Sequence, residues 1–280
     1  MKSTTNILKQ SLLFLALALS FLVSSCEDVI TVDLDEADPK LVIEAAINWQ
    51  KGTSGNTQKI KLTTTTGFYS AQIPKVSGAN VTIRNSQNTV FVFNEVGTTG
   101  EYVCSNFAPV INETYTLTII NNGNTYTATE TLKAVAPISR LEQNDQGGFT
   151  GNEKEIKTYY LDPVGEPNYY LYKYSYSNQR KSDFYVDRDE FFDGNEFFSI
   201  SQNDELKKDD TIEVTHYGIS RAYYNYMSVL VSIAGNSGGG PFQSPPATVR
   251  GNIVNTTAPE NFPLGFFSLS EIAVANYTVQ

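Results

Sequence analysis

Tyr115-Thr116-Leu117-Thr118-Ile119 alternates bulky and hydroxyl-bearing side chains and then runs into Asn122-Gly123. Alternation at period two places every second side chain on one face of an extended chain. Asn-Gly is the dipeptide that most readily takes the two positive φ values of a tight hairpin turn. Tyr126 to Leu132 is then the returning strand. Similar short runs precede it: Leu41 to Trp49, Lys59 to Thr64, Val81 to Arg84, Val90 to Phe93 after a turn at Asn85 to Asn88, and Tyr102 to Cys104. Six to eight short strands within about 95 residues predict a β-sandwich.

Val135-Ala136-Pro137-Ile138 reads as a boundary, because proline disfavours continuation of a strand or a helix. Beyond it, polar Gln143 to Glu153 reads as a loop, and Lys157 to Leu161 and Tyr169 to Ser177 as strands. Asp193-Gly194 is placed to turn a hairpin between Phe191-Phe192 and Phe197-Phe198, and Lys207 to Asp210 to turn the chain into a strand over Thr211 to Tyr217. One helix interrupts the series, since Ile219, Tyr223, Tyr226, Leu230 and Ile233 recur at steps of three and four. Ser220 is suited to cap it and Gly235 to end it. Ala247 to Val254, Leu264 to Ser270 and Ala273 to Val279 read as the last strands. The expected fold is therefore mainly β. A sandwich over 40–136 is followed over 137–280 by a β-rich α+β domain, a sandwich or an open barrel, with one helix near 219–234.

The charge of the chain narrows its partners. Twenty basic and thirty acidic side chains give a net charge of −10. A nucleic-acid binder needs a basic footprint to displace counterions, so that class is excluded. With 40% hydrophobic residues the chain can build a packed core and is not a disordered one. One His and two Cys leave few soft metal ligands.

The N-terminus reads as an address. Residues 1–25 carry Lys2 and Lys9, no acid, and an apolar run from Leu12 to Val23 broken only by Ser20. Twelve residues span about 18 Å as a helix, too short for a hydrocarbon layer of about 30 Å. That pattern describes an export signal. Its last residues, Val23-Ser24-Ser25-Cys26, resemble the lipobox of bacterial lipoproteins, which implies cleavage before Cys26 and a lipid on its thiol. Removing two lysines takes the charge from −10 to −12. Residues 26–39 follow as an acidic tether with Glu27, Asp28, Asp33, Asp35, Glu36 and Asp38. Like charges extend such a linker. Glu27 and Asp28 also partly match the surface-export signal of lipoproteins in Bacteroidota, which implies display at the cell surface.

Two further resemblances concern the body. Val76 to Ile83, Thr99-Gly100-Glu101-Tyr102 and Thr114 to Ile119 resemble the immunoglobulin-like and transthyretin-like modules of exported bacterial proteins, which are mostly spacers or docking units. Residues 26–280 as a whole resemble a Bacteroidota lipoprotein family catalogued as a domain of unknown function. The residues that carry this likeness are the lipobox, Leu41-Val42-Ile43-Glu44, the turn at Asp193-Gly194, Pro245 to Ile253, and Leu264-Gly265-Phe266-Phe267-Ser268. The resemblance implies an outer-membrane location and, because such proteins are often encoded beside TonB-dependent receptors, an accessory role in uptake.

No motif specifies a reaction. Gly235-Asn236-Ser237-Gly238-Gly239-Gly240-Pro241 looks like the nucleophile loop of trypsin-like proteases. His216 is the chain's one histidine, and no acid lies between it and Ser237, so the triad order fails. Asp187, Asp189, Glu190, Asp193 and Glu196 offer oxygen ligands, but an EF-hand starting at Asp187 would have Phe191, Phe192 and Phe198 at positions 5, 6 and 12. Tyr170, Tyr172, Tyr174 and Tyr176 share one strand face, expected to pack inward because Lys173 and Ser175 make the other face more polar. Cys104 is expected to be a small buried apolar residue.

The expectation is a non-catalytic binding protein with no catalytic residues, no metal and no cofactor, joined to the membrane through Cys26. The contact regions expected are two loops, one with Asp187, Asp189, Asp193 and Gly194, the other with Asn236, Ser237, Gly239 and Phe242. An independent glycan- or matrix-binding adhesin is the second reading and a carboxylate-dependent hydrolase the third.

Overall fold

The computed structural model describes residues 38–148, 151, 153–234 and 249–280. All seven strands expected in the first half are present: β1 Leu41–Gln50, β2 Gln58–Thr64, β3 Asn80–Asn85, β4 Val90–Glu95, β5 Glu101–Cys104, β6 Thr114–Asn121 and β7 Asn124–Thr131. Asn122 and Gly123 turn β6 into β7 with φ of 47° and 76°. The second half contributes β8 Ile138–Gly147, β9 Glu153–Leu161, β10 Tyr169–Tyr176, β11 Asp183–Arg188, β12 Glu196–Gln202 and β13 Thr211–Ile219. Helix α1, Arg221–Ala234, then precedes β14 Val254–Asn255 and β15 Leu264–Thr278.

Twelve strands form one hydrogen-bonded series, β11-β10-β13-β15-β1-β2-β5-β4-β3-β6-β7-β14. The series doubles back at β4, which pairs with β3 on one side and β5 on the other. β7 therefore packs against β15 although the two are far apart in the series. The alternate apolar residues of both layers meet in one core: Ile43, Ala45 and Ile47 of β1, Tyr102 of β5, Val81 and Ile83 of β3, Leu117 and Ile119 of β6. This is the expected sandwich.

A second core lies where the three-stranded sheet β12-β9-β8 covers β10 and β13. Tyr170, Tyr172, Tyr174 and Tyr176 all face into it and are 0 to 5% exposed, as their alternation implied. Each such buried side chain contributes roughly 2 kcal/mol of apolar burial, and each hydroxyl has a partner. Tyr172 donates to the Tyr160 hydroxyl at 2.6 Å, Tyr174 to Thr158 at 3.0 Å and Tyr176 to Asp183 at 2.8 Å. On the opposite face of β10, Tyr169 and Leu171 pack under α1 with Met227, Tyr223 and Tyr226. Ser220 caps the helix as expected, its Oγ accepting from the Tyr223 amide at 3.1 Å. The apolar stripe is buried only in the first half of α1, because Leu230 and Ile233 are 37% and 41% exposed.

The first core draws mostly on residues before Val135 and the second on residues from Ala136 onward, and one strand serves both. β15 runs parallel to β1 from Leu264 to Ile272 and antiparallel to β13 from Ile272 onward. Phe267 and Leu269 enter the first core. Val279, just past the strand, enters the second. Glu271 of β15 also anchors the connection between the halves, accepting from the Val135 amide at 3.0 Å and pairing with Lys51 at 3.0 Å. Residues 39–280 consequently form one compact unit.

Four local expectations are corrected. Leu264 to Ser270 and Ala273 to Val279 are joined in one strand, because Ile272 pairs with β1 on one side and β13 on the other and the ladder is unbroken. Gln143 to Gly147 belongs to β8 rather than to a loop, since Glu155 of β9 holds its end through Asn144 at 3.1 Å and the Gly148 amide at 2.9 Å. The strand expected over Ala247 to Val254 shrinks, among the described residues, to the two residues of β14. Asn252 replaces the ladder there, its side chain donating to the Phe267 carbonyl and accepting from the Phe267 amide, both at 2.9 Å. Lastly, Phe191-Phe192 and Phe197-Phe198 are not the arms of a hairpin. β11 pairs with β10 and β12 with β9, so Asp189 to Asn195 is a crossover between sheets. Its apolar residues stack across it instead, with the Phe192 and Phe197 rings 3.7 Å apart and nearly parallel.

Candidate functional site

The acidic crossover was a contact region expected from sequence, and the structure regroups its residues. A 3-10 turn over Asp189–Phe191 and the turn at Asp193-Gly194 bring Asp189 and Asp193 together. Asp162, at the end of β9 and unremarked in the sequence, joins them, with one carboxylate oxygen of each within 4.8 Å of the others. Asp187 points elsewhere, accepting from the Arg188 amide at 2.9 Å, and Glu190 and Glu196 are drawn off by Arg188 and Arg140.

Hydrogen-bond donors compensate this charge. Asp162 accepts from the Tyr170 hydroxyl at 2.5 Å and the Gly194 amide at 3.2 Å. Asp189 accepts from the Asn168 amide at 2.7 Å and its side chain at 3.2 Å, and Asp193 from the Gly165 amide at 2.8 Å. Burial raises the Asp162 pKa, and the neighbouring Asp189 and Asp193 charges add to that against the pull of Tyr170 and Gly194. Hard oxygens suit calcium, but calcium takes six to eight of them, and this cluster supplies three carboxylates already bonded to donors. The arrangement is explained as a brace that ties the 162–168 loop to the crossover.

The second expected region, with Asn236, Ser237, Gly239 and Phe242, lies outside the described residues, as does Cys26. Three other sequence candidates are removed from ligand binding by burial. The tyrosine face is internal, which takes away the basis for an adhesin that stacks glycans on it. Cys104 is 1% exposed, its thiol donating to Asn106 at 3.1 Å, as expected for a small core residue. His216 is completely buried, with its ring stacked on Tyr172 at 4.8 Å. Neither nitrogen has a hydrogen-bond partner of good geometry, and burial lowers its pKa to about 3.

Sequence reading missed a cleft of about 360 Å3 at one end of the first sandwich. Its walls are the start of β1, the segment at Lys75–Ser77, the β6–β7 turn, and Asn261-Phe262 before β15. Asn255 holds two of these walls in place. It is 0% exposed, donates to Asn124 Oδ1 at 3.2 Å and the Asn261 carbonyl at 3.0 Å, and accepts from the Thr257 and Ala258 amides at 3.1 and 3.0 Å. A buried amide with every bond made fixes its surroundings, whereas one left unpaired would cost about 1–3 kcal/mol. The Phe262 ring is held by two cations, Lys40 at 3.6 Å and Arg250 at 3.9 Å. The asparagines of this cleft come from distant parts of the sequence, so no local pattern announces it.

The fold and these sites define a mainly β protein with two face-to-face sheet packings and a polar cleft at one end. Residues 27–274 match the family described as domain of unknown function DUF4249, and the chain belongs to that family. No curated protein matches the chain. Among solved structures, a two-domain fibronectin type III segment of chicken tenascin is 10% identical, with a TM-score of 0.21, over 66% of this chain and 89% of that one. A cytokine receptor complex is 10% identical at a TM-score of 0.24, over 66% of this chain and 86% of that one. A DUF4785 family protein from Legionella pneumophila is 8% identical at 0.26, over 64% and 52%. At these scores the likenesses carry no argument. No helix among the described residues is long and apolar enough to cross a membrane.

Proposed function

We propose that this chain is a lipid-anchored outer-membrane protein, displayed at the cell surface, that works without catalysis as a binding accessory of a TonB-dependent receptor in nutrient uptake. The observation that carries the reading is Val23-Ser24-Ser25-Cys26 closing a short apolar run behind two lysines. The family match supports it by starting at residue 27, directly after the cysteine that would carry the lipid. Burial of Cys104, the remaining cysteine, is consistent with a body held by its cores rather than by a disulfide. The β-rich scaffold presents loops at its ends, the usual place for contacts made by a sandwich.

Cross-linking and affinity purification of the tagged full chain from native membranes, followed by mass spectrometry, tests the reading. Near-equal recovery of a TonB-dependent receptor, lost on Cys26→Ala together with membrane fractionation, is expected. Recovery of the protein alone, or membrane association unchanged by Cys26→Ala, refutes the receptor or the anchor respectively.

A further inference from the structure

The cleft beside Phe262 differs in charge from the molecule around it. The chain carries a net charge of −10, yet Lys75 lines the cleft, Lys40 and Arg250 flank its rim residue Phe262, and no carboxylate is among its lining residues. Among the described residues, none of these three cations is ion-paired. Glu95 bonds to Ser77, which also lines the cleft, but that carboxylate is committed. It accepts from Ser77 Oγ at 2.8 Å and from the Gly78 and Gly100 amides at 2.9 and 3.0 Å.

Asn121, Asn122 and Asn261 line the walls, and an asparagine side chain offers two donors and an acceptor. Vicinal hydroxyls are both donors and acceptors, so amides match them where a purely cationic pocket would not. Tyr126 is 5% exposed and Phe262 is engaged by its two cations, which leaves no broad aromatic platform for a flat apolar ligand. A volume of about 360 Å3 is at the small end of ligand pockets, room for roughly one or two sugar rings.

We propose that the cleft binds a carboxylate-bearing saccharide of the uronic-acid type, with its hydroxyls on the asparagine amides and its carboxylate toward Lys75. Asn255 pre-forms the site by fixing both the Asn124 and Asn261 walls before a ligand arrives, which lowers the ordering cost of binding. This inference rests on the reading of the protein as a binding module, and on neither the lipid anchor nor a receptor. Failure of the sugar titration leaves receptor co-purification untouched, and the reverse also holds.

The full chain, purified in detergent, is titrated with glucuronic acid and a diglucuronide, with glucose and inorganic phosphate as separate arms, by calorimetry and ligand-observed NMR. Saturable uronate binding at least tenfold tighter than glucose is expected. Lys75→Gln should weaken it at least tenfold and Asn261→Ala about fivefold, with unchanged circular dichroism, since both residues are exposed. Glucose binding as tight as uronate overturns the role of the charge. Phosphate binding as tight as uronate overturns the saccharide, and no saturable uronate binding overturns the proposal outright.

Discussion

His216 is an ionisable group placed where its charge cannot be solvated. It is fully buried among the rings of Tyr160, Tyr170 and Tyr172, at 4.6, 4.9 and 4.8 Å. Its pKa falls from 6.5 to about 3 because burial penalises the imidazolium, with the Ala136 backbone opposing weakly. The unfolded chain therefore takes up a proton near pH 6.5 that the folded chain refuses until about pH 3. Stability attributable to this group is complete above pH 6.5 and drains away as the pH falls through that window. At about 1.4 kcal/mol per pH unit, the loss is about 2 kcal/mol by pH 5 and about 4 kcal/mol by pH 3, where the folded group itself begins to take up the proton. His216→Phe keeps a ring in the stack and removes the titration. Urea unfolding followed by far-UV circular dichroism at pH 7, 6 and 5 should show the variant gaining on the parent by about 2 kcal/mol across that range. Asp162 and Asp187, whose pKa values are raised by burial, change stability in the opposite sense and do so in both proteins, so the difference isolates His216. A difference that stays flat between pH 7 and 5 would refute the reasoning.

Two other substitutions probe the brace and the central strand. Tyr170→Phe removes the hydroxyl that donates to buried Asp162, so unfolding at pH 7 should be easier by about 1–3 kcal/mol, with part of the loss recovered on acidification as Asp162 takes a proton; equal losses at pH 7 and 5 would contradict this. Gly265 has φ of 102°, and a Cβ there would lie 2.0 Å from the Ile43 carbonyl oxygen across the β1–β15 pairing. Gly265→Ala should cost at least about 1–3 kcal/mol, read as a lower thermal midpoint, and a midpoint unchanged would count against this close pairing.

The parts legible in the sequence are those set by local alternation and turn chemistry. Asn122-Gly123 favours its turn through its own two residues, and the four tyrosines of β10 alternate on the more apolar face of their strand. Ser220 likewise capped a helix that its own neighbours define. The parts that failed are those decided by partners far along the chain. Phe191 to Phe198 has the residues of a hairpin, yet Phe191-Phe192 lie in a 3-10 turn and its cap while β9 claims Phe197-Phe198. Asp162 could not be grouped with Asp189 and Asp193 without knowing that crossover. The cleft needed Lys75, Asn121 and Asn261 to meet from three separate connections.

The placement of β15 has a consequence for the order of events during synthesis. β1 is among the first strands to be made, and its neighbour on one side is nearly the last. Until that strand emerges, the first core lacks Phe267 and Leu269 and the second lacks Val279, so neither core is complete. Pairings this remote in sequence also form slowly. A chain built so keeps both cores incomplete until β15 has been made.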